Sequence, residues 1–524
     1  MWTERLLSRL LAGTIIAALA FAPLAFGAVE PWAYSVLAVL AYTALALACV
    51  RAAVRRSASG FATPILLPAG LALLLVAVQY AEWPVGILKA VSPEAARFYA
   101  GAAALTGVEG EAAGFAPSLY RHATRDALIR LSSYVALFLA TCAYVRTRKH
   151  ISTIAGAIVT VGFAVSLIGI VQNLAGTRKL YGWRELTRGG ALFGPFVSRN
   201  QFASYAGVCL FVGLGLLLAH AAHAAGSTRR WREGLQRVLT CRAHRDFLVA
   251  FAVGLIGAAV IWSLSRGGIL SLVLSFAGVF LAARLTRFVG GKQLYVAAVC
   301  LVIVAWVTYL GWDSVVKRVS TLDEVARDPL ATWRWRIYSD AGRMSLRFPL
   351  LGTGAGTFLS VYPFYRTLPT DAITVSPHNE YLHVLVETGF GGLAILLLTM
   401  GLIYRRVWRG LSDRHYPFAR GFLAGGVGAL LMVTLHSLVD FPMRSPAIAA
   451  TMAVTAALLY RATTIKGDRK SVPGALHADP GGNPVGEGAD GDPPGETGGE
   501  AVRRLTENIP ASVRPGGWVA ASCV

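Results

Sequence analysis

The stretch TVSPHNEYLHVLVETGF, residues Thr374 to Phe390, leads without a break into an apolar run that continues to Tyr404. A hydrocarbon core of about 30 Å takes roughly 17 to 25 helical residues to cross, and Tyr381 to Tyr404 meets that length. Two histidines and two glutamates therefore stand at the threshold of a membrane helix. Titratable groups are expensive at such a depth, and where they occur they mark paired or functional positions.

Working outward from this run, the same length of apolar sequence recurs along the chain. Of the 524 residues 55% are hydrophobic and only 15% charged, with a mean hydropathy of +0.55, whereas soluble domains carry about 25% charged residues. Twelve spans are predicted: Leu10 to Gly27, Ala33 to Val50, Phe61 to Tyr80, Ala127 to Val145, Ile151 to Val171, Gln201 to Ala222, Phe247 to Leu264, Ile269 to Leu285, Gln293 to Gly311, Tyr381 to Tyr404, Gly421 to Val439 and Pro446 to Tyr460. The fold class is an all-α integral membrane protein of about 12 transmembrane helices, with a large periplasmic loop between helices 9 and 10.

Lys and Arg are retained in short cytoplasmic loops, which orients the spans. The basic segments start at Arg51, Arg146, Ser227, Ala283 and Tyr404, and the intervening short connections are nearly free of basic residues. This alternation puts both termini in the cytoplasm. The net charge of +21 is then mainly a topology signal. Nucleic-acid binding does not follow from it, because the basic residues are divided among separate loops rather than set along one face. The six cysteines are scattered, mostly inside apolar spans, and suggest neither a disulfide framework nor a zinc site.

Three connections, 81–126, 173–200 and 312–379, exceed what a connector needs and fall on the side opposite the cytoplasm in this topology. Long loops are where membrane proteins place chemistry. A membrane domain of residues 1–465 is followed by a Gly, Pro, Asp and Glu-rich tail, 466–524, whose composition cannot bury a core and predicts disorder on the cytoplasmic side.

Within the spans one arginine is out of place. WSLSRGGIL, Trp262 to Leu270, sets Arg266 between two apolar segments with no long loop around it. An arginine in mid-membrane costs about 2.5 to 3.5 kcal/mol on insertion scales, a cost that snorkelling at an interface would relieve. Ser263, Ser265 and the Gly267-Gly268 pair add donors and close backbone approach, which favours an anion site. Guanidinium groups grip phosphate through paired hydrogen bonds, so an arginine cluster at the outer interface suits a lipid-linked phosphate or diphosphate.

In the opening stretch Pro377 sets the start of a helix and leaves His378 and Asn379 at its mouth. An imidazole there can accept a proton from an attacking hydroxyl, worth roughly 10² to 10⁴ in rate; a helix-capping or loop-bonding role suits the same histidine. His378 and His383 do not share a helical face, and the zinc motif H-E-x-x-H is absent. Glu380, His383 and Glu387 do share one, but no second E-x-x-H completes a carboxylate-bridged metal site, so no metal and no cofactor is expected. FPLLGTGAGTF, Phe348 to Phe358, follows no βαβ strand and reads as a tight turn, not a dinucleotide fingerprint. His436 and Asp440 lie four apart on one face at the membrane boundary, where they could orient each other or a catalytic neighbour.

Taken in order, FGPFVSRNQFASY from Phe193, SLSRGG, FPLLGTGAGTF, PHNEYLHVLVETGFGG and HSLVDFP resemble the O-antigen ligase and polymerase superfamily. The resemblance runs from the third span to the last and leaves out the tail. It implies transfer of a glycan from undecaprenyl diphosphate to an acceptor hydroxyl, a second glycan, a lipid A-core or another group, at the periplasmic face of the bacterial inner membrane. It further implies a catalytic histidine that matches His378 and a diphosphate-binding arginine that matches Arg266. A second arginine matches Arg199 or Arg188, with Arg336 of the third loop added to the set. Asn379, Glu380, Asn200, His436 and Asp440 would support them. Ligase and polymerase differ only in acceptor. A different class, a transporter or flippase of a lipid-linked anionic saccharide, would use the same arginines to line a path and His378 as a proton relay.

Overall fold

Eleven of the twelve predicted spans coincide with helices in the computed structural model. It describes residues 2–106, 114–177, 179–184, 191–225, 241–286, 305, 329–367, 373–413 and 416–465. Arg188, the expected span at 293–311 apart from residue 305, and the tail from 466 lie outside the described residues. In chain order the helices are α1 (Trp2–Leu24), α2 (Pro31–Val54), α3 (Leu66–Tyr80), α4 (Val85–Val91), α5 (Pro93–Thr106), α6 (Arg121–Tyr144), α7 (Arg148–Leu174) and α8 (Arg199–Ala225). They continue with α9 (Cys241–Trp262), α10 (Arg266–Leu285), α11 (Pro329–Arg347), α12 (Phe358–Val361), α13 (Glu380–Ser412), α14 (Pro417–His436) and α15 (Pro446–Ala462). Among the described residues nine of these are long and apolar enough to cross a membrane, and α3 and α15 are shorter apolar helices. Among the described residues no strand accompanies them, only isolated bridges such as Trp83 with Phe115. The protein is an all-α, multi-pass membrane protein.

Helix α8 is apolar on every side, which is the signature of a helix with no solvent or lipid face. Its membrane-length window is wholly buried, and it packs against α7, α9, α10 and α14. Contact between α8 and α14 is backbone to backbone: a Cβ on Gly425 would stand 2.3 Å from the Gly215 Cα. With no hydrophobic force between helices in lipid, such small-residue crossings let dispersion do the packing.

Helix α13 is interrupted. Gly389 takes φ 65°, ψ −171°, a region open only to glycine. The interruption strands backbone groups of Val386, Glu387 and Phe390, and in a membrane these must find partners inside the protein. FPLLGTGAGTF supplies them. Thr353 N–H donates to Val386 O and Gly354 N–H to Glu387 O, both at 3.0 Å, and Phe390 N–H donates to Pro349 O at 2.8 Å. Gln79 of α3 donates to Glu387 O from its side-chain nitrogen at 2.8 Å and accepts the Ala355 N–H at 3.1 Å. The expected tight turn is thus a backbone clamp on a broken helix.

The long connections fold over this clamp. Ile337, Ala341 and Met344 of α11 pack with Phe358, Val361, Tyr362 and Val386, while Leu88, Ala95 and Phe348 form a second small core. Arg347 of α11 meets Glu94 of α5 at 3.0 Å. The cap therefore rests on the first turns of α13, where His378 begins.

Gly389→Ala should be destabilised by at least about 2 kcal/mol, because the new methyl would enforce a forbidden backbone region and stand 2.5 Å from the carbonyl oxygens of Pro349 and Leu350. A thermal unfolding midpoint in detergent measures this. Gly401→Ala, in open space on the same helix, should be neutral; similar midpoints for the two variants would mean that the break carries no structural weight.

Candidate functional site

Three helix N-termini meet around the turn that follows α14. The first belongs to α10. Ser265 caps it, accepting the Gly268 N–H at 3.2 Å and donating to Asn200 Oδ1 at 2.8 Å. That second bond joins α10 to α8, whose first residue is Arg199, so Arg199-Asn200 and Ser265-Arg266 become neighbours. Gly268 tightens the same contact, since a Cβ there would fall 2.6 Å from the Ala203 Cβ.

Arg266 stands at the first position of α10, where the exposed backbone N–H groups and the helix dipole favour negative charge. Next to it, a Cβ on Gly267 would lie 3.1 Å from the His436 ring and 2.8 Å from Val439. The arginine end of α10 is thereby laid against the end of α14. His436 is itself 1% exposed and held by Ser204 of α8, whose hydroxyl lies 2.5 Å from its Nδ1.

The third N-terminus is that of α13. Asn379 caps it by accepting the Leu382 N–H at 3.0 Å, and its own side-chain amide donates to Leu438 O at 3.0 Å. Glu380 N–H donates to Ser437 O at 2.9 Å. The residue before the cap, His378, sits in the left-handed region at φ 53°, where a non-glycine side chain is held only by its surroundings. Those surroundings are specific. Its N–H donates to Ser376 Oγ at 3.2 Å, its carbonyl accepts the Tyr338 hydroxyl at 3.1 Å, and its ring lies edge-on to Phe441 at 5.3 Å and beside Trp333 at 6.1 Å.

Asp440 completes the arrangement. Its Oδ1 is 3.7 Å from His378 Nδ1, an electrostatic contact longer than a formed hydrogen bond. Burial alone would raise the Asp440 carboxyl; its interactions with His378, His436 and the Phe441 N–H together outweigh burial and leave it below its ordinary value. Nearby, burial raises the Tyr338 phenol, Arg334 lowers it and Asp440 raises it, so Tyr338 feels both an arginine of α11 and the Asp440 carboxylate.

Behind the histidine lies a buried ionic network. Arg444 Nη1 meets Glu387 Oε2 at 2.7 Å and its Nε meets Glu380 Oε1 at 3.2 Å. Glu387 Oε1 also contacts His383 Nε2 at 3.1 Å and accepts the Phe358 N–H at 3.1 Å. His383 Nδ1 lies 3.3 Å from Ser376 Oγ, the same hydroxyl that receives the His378 N–H. Glu380, His383 and Glu387 are each less than a tenth exposed. The E-x-x-H-x-x-x-E face is occupied by Arg444, and no group of metal-ligand type is found among the described residues.

An apolar groove of about 470 Å³ opens beside this network. Glu380, Tyr381 and Arg444 line one part of it; Leu75, Tyr134 and Ile395 line the remainder among α3, α6, α13 and α15.

The structure thus brings Arg199, Asn200, Arg266, His378, Asn379, Glu380, His436 and Asp440 to one end of the bundle. Arg336 is exposed on α11, while Arg334, two residues earlier, acts on Tyr338 beside His378. Arg188 lies outside the described residues. Sequence reasoning did not single out Ser376, Trp333, Tyr338 or Arg444. Of these only Arg444 had a visible signal, a charge between two prolines at a membrane boundary.

Residues 251–397 match the family model described as O-antigen ligase. The match supports the O-antigen ligase and polymerase superfamily. In general terms it supports a membrane glycosyltransferase of that type. A comparison with curated proteins finds no match. The matched stretch holds Arg266, Arg334 and His378 and stops before Asp440 and Arg444, which lie in the connection between α14 and α15.

Removing Arg444 alone leaves Glu380 and Glu387 uncompensated. Arg444→Met should lose about 3 to 5 kcal/mol of stability, measured by unfolding in detergent. Arg444→Met combined with Glu387→Gln should recover part of that loss. A fully stable single variant would mean that these charges do not depend on one another.

Proposed function

We propose that this O-antigen ligase-type protein transfers a glycan from undecaprenyl diphosphate to an acceptor hydroxyl at the periplasmic face of the bacterial inner membrane, as a ligase or polymerase, without a metal and with inversion. The observation that carries this reading is the meeting of Arg199 and Arg266, each opening a helix, with the His378 and Asp440 pair around the turn 436–440.

The donor is a diphosphate diester of a sugar and a polyprenol. In the proposed step Arg266 and Arg199, with the N-terminal backbone N–H groups of α10 and α8, hold the diphosphate. The contact with Asp440 favours the tautomer of His378 that carries its proton on Nδ1 and leaves Nε2 as the base. Nε2 accepts the hydroxyl proton as the acceptor oxygen attacks the anomeric carbon. The bond from that carbon to the diphosphate oxygen breaks, and undecaprenyl diphosphate leaves with the bonding pair and the added negative charge. Asp440 balances the imidazolium that results. Guanidinium groups and helix N-termini aimed at developing negative charge stabilise the transition state more than the ground state. A single displacement gives inversion. The groove beside Tyr381 and Arg444 suits an isoprenoid chain, being apolar along its length and polar near the head group.

The test is reconstitution of the purified protein with undecaprenyl-diphosphate glycan and candidate acceptors. A new glycosidic bond is expected, and a donor moved across the bilayer unaltered would indicate a transporter instead. His378→Ala should lower turnover by at least about 10²-fold with membrane insertion intact. Asp440→Asn should lower kcat with little change in KM, since it acts through the histidine. Arg266→Lys should raise the KM for donor, because an ammonium cannot reproduce the planar fork. Full turnover by His378→Ala would remove the histidine from the mechanism.

A further inference from the structure

A second set of arginines lies at the opposite end of the bundle and takes no part in the chemistry above. Helix α15 starts beside Arg444 and runs 17 residues, about 25 Å at the helical rise, to Arg461 near its other end. There Arg461 Nε donates to Val145 O at 2.7 Å, and Arg51 of α2 donates from Nη1 to Ala143 O at 3.1 Å. Both carbonyls belong to the end of α6, where no further turn of helix supplies donors. Arg55 joins them, its Nε 2.8 Å from Glu4 Oε1 of α1, and Arg146 follows α6 directly.

Capping explains only part of these side chains. Arg51 is 4% exposed, yet its Nε has no hydrogen-bond partner among the described residues, and the same holds for the buried Arg55 Nη1 and Arg146 Nε. Burial, followed by the like charges of Arg55 and Arg461, pushes the Arg146 guanidinium below its ordinary value, and Glu4 opposes this only in part. Among the described residues Glu4 is the one carboxylate acting on the cluster, so four guanidinium groups face a single counter-charge. Buried donors and uncompensated charge are both costly, and an anion that accepts several N–H groups at once removes both costs. A phosphate group has that geometry. Basic pockets between helix ends at a membrane surface take the head groups of anionic lipids.

We propose that Arg51, Arg55, Arg146 and Arg461 form a phosphate-binding site at the end of the bundle opposite the glycosyl-transfer site, filled by the phosphodiester of an anionic lipid or by a free phosphate. The site is independent of the transfer reaction, and Arg51 and Arg461 also tie α2 and α15 to the end of α6. A bound phosphate therefore braces three helices.

The test uses the full-length protein in neutral detergent, with phosphatidylglycerol, phosphatidylcholine and inorganic phosphate as probes, read by thermal unfolding and native mass spectrometry. Phosphatidylglycerol should raise the midpoint and remain bound, as a ligand of the folded state alone must. Phosphatidylcholine should do neither. Arg55→Gln with Arg146→Gln should weaken apparent affinity at least about tenfold, because each substitution removes charge-assisted bonds to the phosphate, whereas Lys149→Gln, an exposed neighbour, should not. Stabilisation by inorganic phosphate with the same dependence on the two arginines would assign the site to a soluble anion. Hydrogen exchange at residues 143–150 of the unsubstituted protein gives a reading that needs no variant: it should slow with phosphatidylglycerol or phosphate. Equal effects of the two lipids, a lipid effect that survives both substitutions, or unchanged exchange with every probe would overturn the proposal.

Discussion

Arg444 ties the turn after α14 to the first two turns of α13, and the position of His378 depends on that tie. One guanidinium meets Glu380 at the mouth of the helix and Glu387 two turns in, while Glu387 reaches His383 and His383 reaches Ser376. Ser376 then receives the His378 N–H. In water such a chain would be worth little. With Glu380, His383 and Glu387 buried, each member is fixed by the next, because a partner lost leaves a charge or a donor with nothing to replace it. The left-handed backbone at His378 is sustained in this way.

The same shortage of water shapes the fold around it. Helix ends and helix breaks expose backbone groups, and a bilayer offers those groups nothing. At one end of the bundle Ser265 and Asn379 cap the N-termini of α10 and α13, Ser437 O accepts the Glu380 N–H, and Ser265 also bonds Asn200 at the start of α8, which draws three positive dipole ends to one place. At the other end, carbonyls after the last turn of α6 are capped by arginines. A single rule of satisfaction thus gives the bundle two cationic ends, one that we propose holds a transferring diphosphate and one that we propose holds a resident phosphate.

Much of the fold was legible in residue order. Apolar runs of membrane length could not be anything but spans, and Pro31, Pro417 and Pro446 set helix starts where a missing N–H is harmless. Less legible was the interruption at Gly389, which stands in an otherwise unremarked E-T-G-F sequence. Glycine tolerates a break without requiring one, and only the arrival of the 349–355 backbone explains it. For the same reason the glycines of FPLLGTGAGTF announced a turn but not the helix it would clamp.

For the site, sequence supplied chemistry and tertiary structure supplied company. Arg266 and His378 stood out by themselves, since each is a costly residue at a membrane boundary with small or helix-starting residues around it. That Asp440 would face His378, that His436 would lie against Gly267, and that Arg334 would be the arginine of α11 acting beside the histidine while Arg336 is exposed were decided only by packing. The reason is one of range: hydropathy and helix signals act over a turn or a span, whereas these contacts join residues tens to hundreds of positions apart. By itself the sequence determined an all-helical membrane protein with cationic and imidazole groups at the ends of its helices. Which of those groups come to the same end of the bundle was decided by how the helices cross and by which buried charge each one needs.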